Sequence, residues 1–241
     1  MVNAMDKLEI KKNISLLNES IVNEIGQLLT SFKSEAVPNE QFIQSSLLSR
    51  LRSIPILSRP YRLSAGSRPE LVSPVQSEIW WLDDKDGFTN ARRIPDITIW
   101  EPHYTTFIPN QVRKLGDNED YASYYSEGAS IVFELKHIHK TASSEEGLAK
   151  QAFKKILTDI SKIEKLHQIM LYRHNRRVGQ SPDRPKPYLV AYFVIFSYVE
   201  KLPQYWNQLC ARISESTEIP MSLHLGTLSC VQNYQHGFDP E

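Results

Sequence analysis

Between Tyr188 and Tyr198 almost every residue is apolar, with Leu189, Val190, Ala191, Phe193, Val194, Ile195 and Phe196 carrying no charge between them. A strand with one wet face would alternate polar and apolar residues, so an unbroken run suits a central strand covered on both sides. Covering both faces of a sheet takes helices on both, which points to the α/β class. A long amphipathic helix precedes the run, with its stripe at Phe153, Ile156, Ile160, Ile163, Leu166 and Met170. Ser143 and Glu146 open it in the pattern of a capping box, weakened by Gly147. Ahead of the helix, Ser130 to Ile138 is a further β-branched, apolar segment that predicts a strand. Strand, helix and buried strand make a βαβ crossover.

The rest of the chain fills in around that unit. Ile14, Leu17, Ile21, Ile25, Leu28 and Phe32 recur at helical spacing and predict a helix over about residues 7–32. After Pro38-Asn39, a second helix is expected from Glu40 to about Ile54, with Phe42, Ile43, Leu47, Leu48 and Leu51 inward. Prolines 55, 60, 69 and 74 and Gly66 predict a long irregular stretch. Residues 78–82 suit a strand, and residues 83–87 a tight turn leading into the strand that holds Asp96. Residues 101–129 are polar and loop-like, with tyrosines at 121, 124 and 125. A helix around Gln204 to Ser214 and a last strand near Leu223 to Val231 complete the order.

At 241 residues, 41% hydrophobic and 23% charged, the chain suits one large globular domain, or one domain with additions. Its N-terminus has no apolar signal core and no apolar stretch reaches membrane-spanning length, so no membrane partner is expected. Two cysteines, Cys210 and Cys230, make a disulfide framework or a cysteine zinc site a poor fit, leaving the cytoplasm as the expected location. Formal charge is zero, which speaks against indiscriminate coating of nucleic acid but leaves room for a local basic groove. Arginines 50, 52, 59, 62 and 68 fall together with no acid among them. A second basic loop holds Arg173, Arg176, Arg177, Arg184 and Lys186.

Two of the expected strands break the apolar rule. One contains Pro95-Asp96 before Ile97-Thr98-Ile99-Trp100, the other Glu134-Leu135-Lys136. A buried charge costs several kcal/mol (~3 or more) unless it is paired or bound to a metal. Glu134 and Lys136 point the same way along a strand, about 6.6 Å apart, and an adjacent strand about 4.8 Å away could bring Asp96 beside them. Two carboxylates that close favour a hard cation such as Mg²⁺ or Mn²⁺ between them. With an ammonium at hand, that kit suits phosphodiester hydrolysis.

An aspartate followed at a distance by Glu-x-Lys, on strands of an α-β-β-β-α-β order, resembles the PD-(D/E)xK nuclease superfamily. Pro95-Asp96 and Glu134-Leu135-Lys136 carry the resemblance, which spans about residues 40–199. It implies a restriction-endonuclease-like αβββαβ core, a central mixed sheet flanked by helices, as a domain over residues 37–241 with an N-terminal helical extension over residues 1–36. It further implies a Mg²⁺-dependent DNA endonuclease, with Mn²⁺ able to substitute. Asp96, Glu134 and the Leu135 carbonyl would hold the metal, Lys136 would place the water, and Glu40 would join from the preceding helix. The helix after the motif often adds a polar residue, for which Gln151 and Lys155 stand as candidates. The stretch between Asp96 and Glu134 exceeds a simple hairpin, so an insertion is expected there.

Arg59, Arg62, Arg68, Arg176 and Arg177 are the expected phosphate contacts. His137 and His139 should face away from the metal, and Lys150, Lys154, Lys155, Lys162 and Lys165 should lie on the solvated face of the long helix. The resemblance also admits a homodimer, through the N-terminal helix, and a protein or small-molecule activator. The rival expectation is a non-catalytic nucleic-acid-binding or assembly module that kept the nuclease-like fold, separable by whether a divalent metal binds.

Overall fold

The computed structural model describes residues 14–33, 37–63, 70–77, 95–100, 105–114, 120–126, 130–141, 143–178, 188–216 and 218–238. Helix α1 (Ile14–Ser31) buries Leu17, Ile21, Ile25, Leu28 and Leu29. Helix α2 (Glu40–Ser53) starts at Asn39, whose side chain accepts the Phe42 N–H at 2.9 Å, and buries Ile43, Leu47 and Leu51. An ion pair at 3.1 Å from Arg50 to Glu24 joins α2 to α1, and the Arg52 guanidinium donates to the Val75 carbonyl. Both arginines therefore tie the fold together.

The stretch expected to be irregular contains three short strands, β1 (Tyr61–Leu63), β2 (Glu70–Val72) and β3 (Val75–Ser77). β1 and β2 pair with each other, whereas β3 joins the main sheet. The expected strand at 78–82 and its turn lie outside the described residues. β4 (Ile97–Trp100) begins just after Asp96, as a proline with no N–H to give the ladder requires. Residues expected as loop after it form an antiparallel hairpin of β5 (Thr105–Lys114) and β6 (Asp120–Ser126), separate from the main sheet. β7 (Ser130–Ile138) carries the Glu-x-Lys triplet.

Helix α3 (Glu145–Val178) runs 34 residues, and the Gly147 N–H donates to Ser144 rather than to the expected cap Ser143. It continues past Met170, so Arg173, Arg176 and Arg177 stand on a helix and not in the expected basic loop. β8 (Leu189–Ser197) is buried along its whole length. A short 3-10 turn (Leu202–Tyr205) leads into α4 (Trp206–Ser214). The single closing strand expected near 223–231 is two, β9 (Met221–Thr227) and β10 (Val231–His236). Thr227 turns the chain between them, its hydroxyl accepting the Ser229 and Cys230 N–H groups.

The main sheet is six-stranded and mixed, in the order β10-β9-β8-β7-β4-β3. β3, β4 and β7 form an antiparallel meander; β7, β8 and β9 run parallel; β10 returns antiparallel. Alternation sorts the side chains into two cores. Ile131, Phe133 and Leu135 of β7, with Val190, Tyr192, Val194 and Phe196 of β8, pack under α1 and α2. Val132 of β7, with Leu189, Ala191, Phe193 and Ile195 of β8, packs under α3 and α4. Helix α1 thus covers the chain's own core. No helix among the described residues is long and apolar enough to cross a membrane.

Candidate active site

β4 and β7 part company at one point, and the site forms there. Their last ladder pair is Ile97 with Phe133, supplemented by the Asp96 N–H donating to the Phe133 carbonyl at 3.1 Å. Beyond it β7 continues for several residues with no β4 backbone beside it, and two carboxylates take the strand's place. The Leu135 N–H donates to Asp96 Oδ2 at 2.6 Å, and the His137 N–H donates to Glu40 Oε2 at 3.2 Å. Buried backbone donors demand partners, so Asp96 and Glu40 finish an edge that the proline left open. Gln44 of α2 fixes the turn from the other side, its amide donating to the Asp96 carbonyl at 2.7 Å.

The opposite face of β7 carries Glu134 and Lys136 toward α3. Glu134 is only 2% exposed, and its Oε1 lies 2.6 Å from Lys162 Nζ. Lys136 Nζ lies 3.2 Å from Asp159 Oδ2 and donates to the Leu135 carbonyl at 2.9 Å. Asp159 and Lys162 are three apart on α3, one helical turn, so they present opposite charges side by side to the strand. Acid meets base at both positions.

The charges act on one another strongly. Burial pushes the Glu134 carboxyl up to about 7, Asp96 and Asp159 adding to the rise while Lys162 opposes it. Burial also raises Asp96, against the pull of the Leu135 N–H and of Lys136, with Glu40 adding to the rise. For Lys136 burial alone would lower the ammonium's pKa, but Asp159, Glu40, Asp96 and Glu134 together raise it. Two-way tuning of this kind clusters where chemistry is done.

The structure thus brings Asp96, Glu134, Leu135, Lys136 and Glu40 to one place. Gln151 and Lys155 are exposed on α3; the residues α3 delivers instead are Asp159 and Lys162. Lys162, expected on the solvated face, is turned inward because it flanks the buried Ile160–Ile163 stripe and Glu134 needs a counter-charge. That adjacency was the one available signal for both residues. His137 packs on the opposite side from Glu134, its ring beside His139, Phe196 and Tyr198. Both its ring nitrogens are buried without a partner, and burial, then His139, lowers its pKa to about 4. Arg59 is exposed. Arg62 lies on β1 and Arg176 and Arg177 on the last turns of α3, with side chains outside the described residues, as is Arg68 entirely.

Among the described residues, no three His, Cys, Asp or Glu side chains are gathered closely enough to grip a metal ion as they stand. The carboxylates are drawn instead to ammonium and amide groups. Their chemistry still suits a hard divalent cation, being all oxygen. Among the described residues, Glu40, Asp96, Glu134 and Asp159 face Lys136 and Lys162, an excess of negative charge that a divalent cation would offset. No family model, curated protein or solved structure matches this chain, so its chemistry rests on its own geometry.

Proposed function

We propose that this chain is a Mg²⁺-dependent DNA endonuclease of the PD-(D/E)xK type, built on a restriction-endonuclease-like core formed by α2, β3, β4, β7, α3 and β8. The observation that carries the reading is the meeting of Asp96, Glu134, Lys136 and Glu40 where β4 stops and β7 runs on. Asp96, Glu134 and the Leu135 carbonyl are the metal ligands in this reading, with Glu40 beside them. The bound cation, Mg²⁺ or Mn²⁺, would acidify a water and offset phosphate charge.

The protein's own part falls to Lys136. Its ammonium has three N–H donors, of which the Leu135 carbonyl and Asp159 engage two. The third is available to hold the attacking water or a phosphoryl oxygen. Oriented by two fixed acceptors, it presents its charge where negative charge develops in the transition state. Asp96 and Glu40, pinned by strand amides, need little reorganisation to stay in place.

The test is cleavage of plasmid and single-stranded DNA with Mg²⁺, Mn²⁺ or EDTA, comparing the wild type with Lys136→Ala. Cutting that needs metal and drops by about 10²-fold or more in the variant, with the fold intact, is the expected result. The second reading is a non-catalytic nucleic-acid-binding or assembly module. What favours it is that the lysines and strand amides already satisfy these carboxylates. It expects no stabilisation by millimolar Mg²⁺, whereas the nuclease expects a clear rise in Tm.

A further inference from the structure

We propose that Lys162 is a resident counter-ion that a divalent cation must displace from Glu134, so that the metal-free site is held closed by its own helix. The inference rests on the metal-dependent reading above. It starts from the depth of the two groups. Glu134 is 2% exposed, whereas the Lys162 side chain is 23% exposed and reaches inward to Oε1 at 2.6 Å. Lys162 therefore reaches from the partly exposed surface of α3 to a carboxylate that is almost fully buried. Its ammonium already occupies one of the two carboxylate oxygens that a metal could take.

Two cations cannot share that oxygen in a poorly solvated site, since their repulsion is weakly screened there. The geometry also supplies somewhere for the ammonium to go. Asp159 lies one turn back on α3 and has oxygens enough for more than one donor, although its Oδ2 already meets Lys136 at 3.2 Å. Lys162 carries four rotatable bonds, so it can move from Glu134 to Asp159 with the helix unchanged. A site whose competent form is only a fraction of the population binds its ligand more weakly by that fraction. With the pair formed about nine-tenths of the time, removing the ammonium would tighten metal binding about tenfold.

The experiment is Mn²⁺ titration of the full chain without DNA at pH 8, following the free-ion signal by electron paramagnetic resonance. Lys162→Met should bind about tenfold more tightly than the wild type, and Lys162→Arg within about threefold of it. Lys155→Met removes the same charge from an exposed position on the same helix, and should also stay within about threefold. Circular dichroism verifies folding, and Lys162→Gln replaces the methionine variant if that one fails to fold. Wild-type binding with no more tightening in Lys162→Met than in Lys155→Met overturns the gate alone. Absence of Mn²⁺ binding in every variant overturns the metal site, and the gate with it.

Discussion

Replacing Glu134 by glutamine should stabilise the fold, by an amount set by pH. Burial lifts this carboxyl from its ordinary 4.5 to about 7. A group whose pKa is higher folded than unfolded binds more protons in the native state. Its contribution to stability is complete below about 4.5 and is lost as pH rises through about 7. The interval is about 2.5 pH units at about 1.4 kcal/mol each, so ionising Glu134 in place costs about 3 kcal/mol by pH 8. Glutamine has the same shape and keeps a carbonyl for Lys162, but it never ionises. The stability difference between variant and wild type should therefore grow from near zero at pH 4.5 to about 3 kcal/mol at pH 8, or roughly 6–12 °C in Tm. Urea denaturation followed by circular dichroism, in EDTA at five pH values, measures it directly. Parallel stability curves would refute the reasoning, because they would mean that Lys162 keeps Glu134 ionised across the whole range. Saturating Mg²⁺ should then reverse the order at pH 8, stabilising the wild type and leaving the variant unchanged.

Other outcomes follow from the same structure. His224 is buried against Ser222 at 2.7 Å, and burial lowers its pKa from 6.5 to about 4. This group is depressed on folding, so its contribution is present above about 6.5 and is lost as pH falls toward about 4, about 3 kcal/mol in all. In a Glu134→Gln background, which removes the opposing slope, stability should drop over that window. Adding His224→Gln should make the drop shallower without abolishing it, because buried His137 is depressed over the same window. Gly226 on β9 lies beneath α1, where an added Cβ would come 3.1 Å from Leu29 Cδ2 and 3.4 Å from Phe196 Cδ2. Gly226→Ala should cost about 1–3 kcal/mol in urea denaturation, and Leu29→Ala should relieve part of it in a double-mutant cycle.

Much of this was legible in the residues. The unbroken run of β8 announced a strand with two covered faces, and it has both. Stripes at helical spacing placed α1, α2 and most of α3, because each buries one side only. Asp96, Glu134 and Lys136 stood out as charges in apolar runs, and they do converge. Asp159 and Lys162 were hidden because a charged residue on an amphipathic helix looks solvated unless its strand partner is known. The β5–β6 hairpin escaped because, among the described residues, its strands pair with each other alone, and their sequence lacks the alternation that a covered sheet face imposes. Beyond Met170 the apolar stripe gives way to a mostly polar sequence, with His174 buried, so the spacing did not reveal the last turns of α3.

The position of β7 has a consequence for how the chain is made. It is hydrogen-bonded on one side to β4, which precedes it, and on the other to β8, which is synthesised about 60 residues later, some 3–12 s at ribosomal rates of about 5–20 residues per second. Until β8 arrives, Ser130 to Ile138 is a bare edge of mostly apolar residues, the kind of template on which nascent chains stick to one another. Glu134 and Lys136 interrupt that edge with charges of opposite sign, as gatekeeper residues do. The carboxylate and ammonium that furnish the site would thus act first as chaperones of their own strand, before any of their partners on α3 has folded against them.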